Sequence, residues 1–249
     1  MINYTAEAFG TAMLILLGDG VVANVLLARS KGENSGWIVI TFGWGVAVMV
    51  AVYAVGRLSG AHLNPAVTVA LASIGAFSWA DVPGYIGAQM IGAFIGAVLV
   101  WLMYLPHWPL TQDANLKLAV FCTGPAIRNP TANFLAETIA TAAFVFAILG
   151  IGANAQTLAK PGDIDLSVVF SNGLQPLLVG ALVLGVGLSL GGPTGYAINP
   201  ARDLGPRVAH FMLPIAGKRD SDWGYAWVPI VAPIVGGVIG AQLFKAVGF

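Results

Sequence analysis

Charged side chains are scarce in this 249-residue chain: Lys and Arg number 11, Asp and Glu 11, together 9% against the roughly 25% usual in soluble domains. That excludes an ordinary globular domain. The two signs cancel, so there is no basic face for nucleic acid and no acidic face for a cationic partner. A single cysteine, Cys122, cannot close an internal disulfide and has no companion for a metal site, so it reads as an inert thiol. The N-terminus lacks a basic n-region and places Glu7 ahead of its apolar run. That run continues past Leu27, which reads as a retained span and not a cleaved signal. No phosphate loop, nucleophile triad or nucleotide-binding pattern is present, which counts against an enzyme and calls for no cofactor or metal.

What the chain does hold is apolar length. Hydrophobic residues make up 57%, and six long apolar segments fall at about 7–28, 37–57, 82–105, 132–152, 168–190 and 226–247. Each approaches or exceeds the ~20 residues of a membrane-spanning helix. Glycine, 32 of 249, is far above its usual ~7% and suits helices packed closely in a bilayer.

Two related stretches lie between the second and third segments and between the fifth and sixth. They are Ser59-Gly60-Ala61-His62-Leu63-Asn64-Pro65-Ala66 and Gly195-Tyr196-Ala197-Ile198-Asn199-Pro200-Ala201-Arg202-Asp203. In each, Asn caps the first free N–H groups of a helix and Pro occupies its first turn, where a missing N–H costs nothing. The helix after Asn64 is expected to run to about Ala76, roughly 18 Å and half of a ~30 Å hydrocarbon core. The helix after Asn199 halts before Pro214. The chain thus reads as span, span, half-helix, span, twice over.

Further pairs support the repeat. Glu7-Ala8-Phe9-Gly10-Thr11-Ala12 opens the first half and Glu137-Thr138-Ile139-Ala140-Thr141-Ala142 the second. Gly92 and Gly96 space the third span as Gly236 and Gly240 space the sixth. Three spans per copy insert the second copy upside down. The expected fold is an all-α membrane protein with six transmembrane helices and two re-entrant half-helices, an inverted 3+3 repeat. It forms one domain over 1–249, with repeats at about 1–105 and 132–249 and a connecting loop at 106–131.

In such a repeat the half-helices meet by their N-termini at mid-membrane, with Asn64 and Asn199 side by side. Each Asn can offer side-chain N–H donors to a passing solute. Two helix N-termini, each carrying about half a positive charge, repel cations and interrupt a proton wire. Three residues past the Asn the symmetry breaks, with Val67 in one half and Arg202 in the other. An i,i+3 spacing puts Arg202 on the face of Asn199, about one turn toward the surface. An arginine inside the membrane marks a function, or else a structural ion pair. Pro206 cannot donate to the carbonyl of Arg202, which leaves that acceptor free or water-bound.

Glu7 and Glu137 stand at matched positions and are expected to accept N–H groups from the irregular re-entrant loops. Asp19, in the first span, has no repeat counterpart and no evident role. His62 reads as a neutral pore-wall or loop-anchoring group, and His107 and His210 as interfacial.

The paired Asn-Pro-Ala boxes, 135 positions apart, with a Glu opening each repeat, resemble the aquaporin superfamily (major intrinsic proteins) over essentially the whole chain. Asp203, Arg207 and the pair Pro229-Ile230 resemble the glycerol-conducting branch, the aquaglyceroporins or glycerol facilitators. The resemblance implies a selectivity filter of Trp44, Gly187, Tyr196 and Arg202 beside the boxes Asn64-Pro65-Ala66 and Asn199-Pro200-Ala201. Tyr196 departs from the family's usual Phe. The implied activity is passive passage of small neutral solutes, chiefly glycerol with some water, with protons and ions excluded. A water-selective pore, a preference for urea or undissociated lactic acid, and an alternating-access transporter are the alternatives. The resemblance also implies a homotetramer in a cell membrane. Its termini would be cytoplasmic, although Arg29, Lys31, Lys117, Arg128, Lys218 and Arg219 outnumber Arg57, Lys160 and Lys245 on the termini side.

Overall fold

The structure, a computed structural model, describes residues 2–158 and 165–248. Lys160, counted above for orientation, lies outside the described residues. Among these, six helices are long and apolar enough to cross a membrane: Ile2–Leu26, Trp37–Ser59, Val82–Met103, Pro130–Gln156, Leu166–Leu190 and Trp227–Val247. Two shorter helices, Pro65–Ser73 and Pro200–Met212, follow the two Asn-Pro-Ala boxes.

The ends differ from expectation for local reasons. The first half-helix stops at Ser73, not Ala76. There Gly75, at φ +81°, turns the chain in the left-handed region and Ala76 donates back to the Leu71 carbonyl at 2.9 Å. The fourth span starts at Pro130 because the Asn129 side chain caps it, accepting from the Ala132 amide. The fifth span opens on one α-helical turn, Leu166–Val169, and then widens into a π turn at Phe170–Leu174, two residues before Pro176, whose missing N–H interrupts the regular ladder. The connecting segment folds its own short helix, Ala114–Phe121, capped by Asp113.

The packing repeats with the sequence. The first span packs on the third, and the fourth on the sixth. Gly92 and Gly96 lie against the backbone of Ala8 and Ala12, while Gly236 and Gly240 lie against that of Thr138 and Ala142. A β-carbon at Gly96 would sit 2.6 Å from the Ala12 carbonyl oxygen, so these helices are in backbone contact. The half-helices cross over: the first packs on the sixth span and the second on the third, so each repeat roofs the other's half-helix. The two Asn-capped ends are thereby brought together at the centre.

Candidate functional site

The loops leading into the half-helices carry the same backbone irregularity twice. Gly60, Ala61 and Leu63 have φ of +81°, +49° and +51°; Gly195, Tyr196 and Ile198 have +83°, +40° and +44°. Left-handed φ costs an L-residue roughly 1–2 kcal/mol, so four side-chain-bearing residues are held against their preference. The two glutamates hold them. Glu7, fully buried, accepts from the His62 and Leu63 amides at 2.9 and 2.7 Å, from Ser59 Oγ at 2.6 Å and from Gln89 Nε2 at 2.7 Å. Glu137, also fully buried, accepts from the Ala197 and Ile198 amides at 2.9 and 3.0 Å. No lipid or water is needed to satisfy these N–H groups.

The asparagines are interlocked. Asn64 Oδ1 accepts from the Ala66 amide at 2.8 Å, and Asn199 Oδ1 from Ala201 and Arg202 at 3.0 and 3.2 Å. Asn64 Nδ2 donates to the Ile198 carbonyl and Asn199 Nδ2 to the Leu63 carbonyl, each at 2.8 Å. One N–H of each amide is spent on the opposite loop, which fixes its rotamer and leaves the second N–H for the lumen. Both asparagines line a cavity of about 490 Å³ together with His62, Trp44, Tyr196 and Arg202. The rest of its wall is mostly aliphatic, from residues such as Val48, Val52, Ile148 and Val183.

Arg202 and Trp44 meet: the guanidinium carbon lies 4.2 Å from the Trp44 ring centroid, a cation–π distance, and both residues are buried. Arg202 Nη1 is also 3.4 Å from Asp19 Oδ1 and 3.5 Å from the Phe121 carbonyl. Tyr196 presents its ring to the same cavity, edge-on to Trp37 at 5.7 Å. Its hydroxyl is buried and meets no hydrogen-bond partner among the described residues. Gly187 lies behind that ring, where a β-carbon would come within 2.8 Å of Tyr196 Cζ and 2.9 Å of Thr41 Cγ2. Its smallness makes room for Tyr196, so its influence on the lumen is indirect. Trp37 Nε1 donates to the Gly187 carbonyl at 3.1 Å, a support that the sequence reading missed.

Asp203 and Arg207 lie beside this group, both fully buried. Asp203 Oδ1 accepts from Arg207 Nε at 2.8 Å, and Oδ2 accepts from the Thr123 amide and hydroxyl at 2.8 and 2.7 Å. Arg207 also donates to the carbonyls of Ser221 and Thr123. The pair ties the segments around 123 and 221 onto the second half-helix. Lys218 closes that helix's end by donating to the carbonyls of His210, Phe211 and Leu213, and burial draws its ammonium below the ordinary lysine range. Pro229 is buried and Ile230 half-buried in the first turn of the sixth span.

His62 accepts or donates at Nδ1 with Thr68 Oγ1, 3.1 Å away, and packs against Phe77 and Tyr85. His210 is not interfacial. It is fully buried, bonded to Ser221 Oγ at 2.8 Å and packed on Phe121, because the loop that Arg207 anchors covers it. His107 is half-buried and bonds the Ala28 carbonyl. Cys122 is buried.

A family model described as major intrinsic protein matches residues 1–244. The chain is 62% identical over 242 residues to the probable glycerol uptake facilitator protein of Thermotoga maritima, covering 97% of each. It is 54% identical over 246 residues to the glycerol uptake facilitator protein of Bacillus subtilis, covering 99% of this chain and 85% of that one. Among solved structures, the aquaglyceroporin from Plasmodium falciparum matches with a TM-score of 0.81 at 32% identity, over 98% of this chain and 95% of that one. The duplicated asparagine caps, their glutamate braces and the crossed half-helices fit these likenesses over nearly the full length. The chain belongs to the major intrinsic protein family.

Proposed function

We propose that the protein is a passive channel for glycerol, with some water, that excludes protons and ions. The observation that carries the reading is the wall of the central cavity, where Arg202 lies against Trp44 while Asn64 and Asn199 keep one N–H each for the lumen. A polyol has hydroxyls along one edge and carbon along the other. Donors from the two loops suit the first edge, and the aromatic rings with the aliphatic spans suit the second. The glycerol facilitators among its relatives support the same choice.

In liposomes the protein is expected to speed swelling in a glycerol gradient without adding proton conductance. Stopped-flow light scattering beside a pH-dye assay checks this, with urea, water and lactic acid as comparison solutes. Acidification that rises with protein content would refute the midplane barrier. Saturation or ion coupling would point to alternating access.

The same reading places the protein in a cell membrane with cytoplasmic termini, the few loop charges notwithstanding. A cysteine engineered within 29–36 should then be labelled from outside intact cells; labelling only after permeabilisation reverses the orientation. It also makes the assembly a homotetramer with one pore per subunit. The likeness to the family supports this, and the mass of the detergent-extracted complex tests it.

A further inference from the structure

Asp19 is a carboxylate on the first span, fully buried within the bilayer region, and the repeat has no copy of it. Its Oδ1 lies 3.4 Å from Arg202 Nη1, while its Oδ2 has no hydrogen-bond partner among the described residues. The neighbouring residue explains how it gets there. At Gly18 a β-carbon would collide with the Trp44 ring, so that ring packs directly on the first span beside Asp19. Arg202 and Trp44 line the cavity, but Asp19 does not. The guanidinium therefore has a ring against it at 4.2 Å and a carboxylate behind it, away from the lumen.

The only other acid near Arg202 in sequence is committed elsewhere. Both oxygens of Asp203 bond Arg207 or Thr123, and that ion pair is fully buried. Two arginines thus have two aspartates, and the partner left for Arg202 is Asp19. A charge removed from water inside a membrane is held only where it is paired.

We infer that Asp19 is a positioning residue of the filter: it holds Arg202 back against Trp44 and compensates its charge, so that the constriction is a nearly neutral array of donors. It does not touch the solute. The consequence is that cation exclusion at this level depends on the pair. With Arg202 alone removed, Asp19 is left without its pair, and a passing cation or a bound proton must take the place of the guanidinium. With Asp19 alone removed, the guanidinium keeps its charge but loses its rear anchor and can swing into the lumen.

The inference rests on Arg202 being the filter cation, and a four-variant cycle separates the two claims. Wild type, Asp19→Asn, Arg202→Val and the double variant are reconstituted. Potassium conductance is measured in planar bilayers and the glycerol-to-water flux ratio in liposomes. Arg202→Val is expected to conduct potassium, and adding Asp19→Asn to it should reduce that conductance about tenfold. Asp19→Asn alone should lower the glycerol-to-water ratio by about threefold or more while admitting no potassium.

Conductance in Arg202→Val that the second substitution leaves unchanged overturns the role of Asp19 and spares the filter. Absence of conductance in Arg202→Val overturns the filter reading itself. Should Asp19→Asn not fold, Asp19→Leu in the Arg202→Val background removes both charges and leaves no buried ion unpaired. It should be more heat-stable than Arg202→Val alone and free of potassium conductance. Equal stability with equal conductance overturns the inference.

Discussion

Arg202→Val should turn a channel that excludes ions into one that conducts small cations, while glycerol loses its advantage over water. A monovalent cation passing about 4 Å from a guanidinium meets a repulsion of about 4 kcal/mol at an effective permittivity near 20. That is nearly a thousandfold in entry at the upper limit, before compensation by the carboxylate behind it. Val is the residue at the matching position of the first half, Val67, where it is buried without strain next to the same kind of cap. The substitution therefore asks the second half to look like the first, and a folded product is expected. Glycerol should lose in parallel, since the guanidinium edge is a planar set of donors that a compact ammonium or a methyl cannot replace. Conductance and flux measured on one preparation check both arms. A variant that folds, passes the same solutes and still excludes potassium places the selective element elsewhere.

Glu137→Leu should prevent the second re-entrant loop from forming. The Ala197 and Ile198 amides both end on this carboxylate, in a place with no water to take over. An amide buried without a partner costs roughly 2–7 kcal/mol, and two of them rival the whole stability of a domain. Ile198 is also left-handed at φ +44°, held by the Glu137 carboxylate on its amide and by Asn64 on its carbonyl, so losing the first leaves the strain to the second alone. Glu137→Gln should be milder but still damaging, since one oxygen becomes an N–H that faces an N–H. The expected result is little monodisperse Glu137→Leu protein after extraction and no glycerol flux above empty liposomes. Wild-type thermal stability with intact flux would show that the loop holds itself.

Glu137 was legible in the sequence because it had a twin. Where the repeat wrote a feature twice, as with the asparagine caps, the glycine pairs and the two glutamates, the pattern named both the residue and its use. Features present once were harder. Asp19 stood out as an acid in an apolar run, but its partner lies 183 positions away on the other half, and no local period connects them. The short helix at Ala114–Phe121 is too brief for periodicity to reveal, although Asp113 marks its start. His210 read as interfacial, and nothing in its own segment of sequence told of its burial. The cover that buries it depends on Arg207 reaching Thr123 and Ser221, contacts set by the tertiary fold. Gly187 came into the expected filter by resemblance alone, and what it does, making room for the ring of Tyr196, is set by tertiary packing.

The reciprocal asparagine bonds bear on the order of synthesis. The Leu63 carbonyl is paired by Asn199, and Asn64 by the Ile198 carbonyl, across 136 and 134 positions. When the first three spans have left the ribosome, neither partner exists, and the first half-helix has no sixth span to lie against. Its loop must therefore wait, outside the hydrocarbon or shielded by the insertion machinery, until the last span arrives. Expressing the two halves as separate polypeptides should leave the first with residues 60–73 open to protease, and joint expression should close them. The lumen is thus the last part of the molecule to come into being.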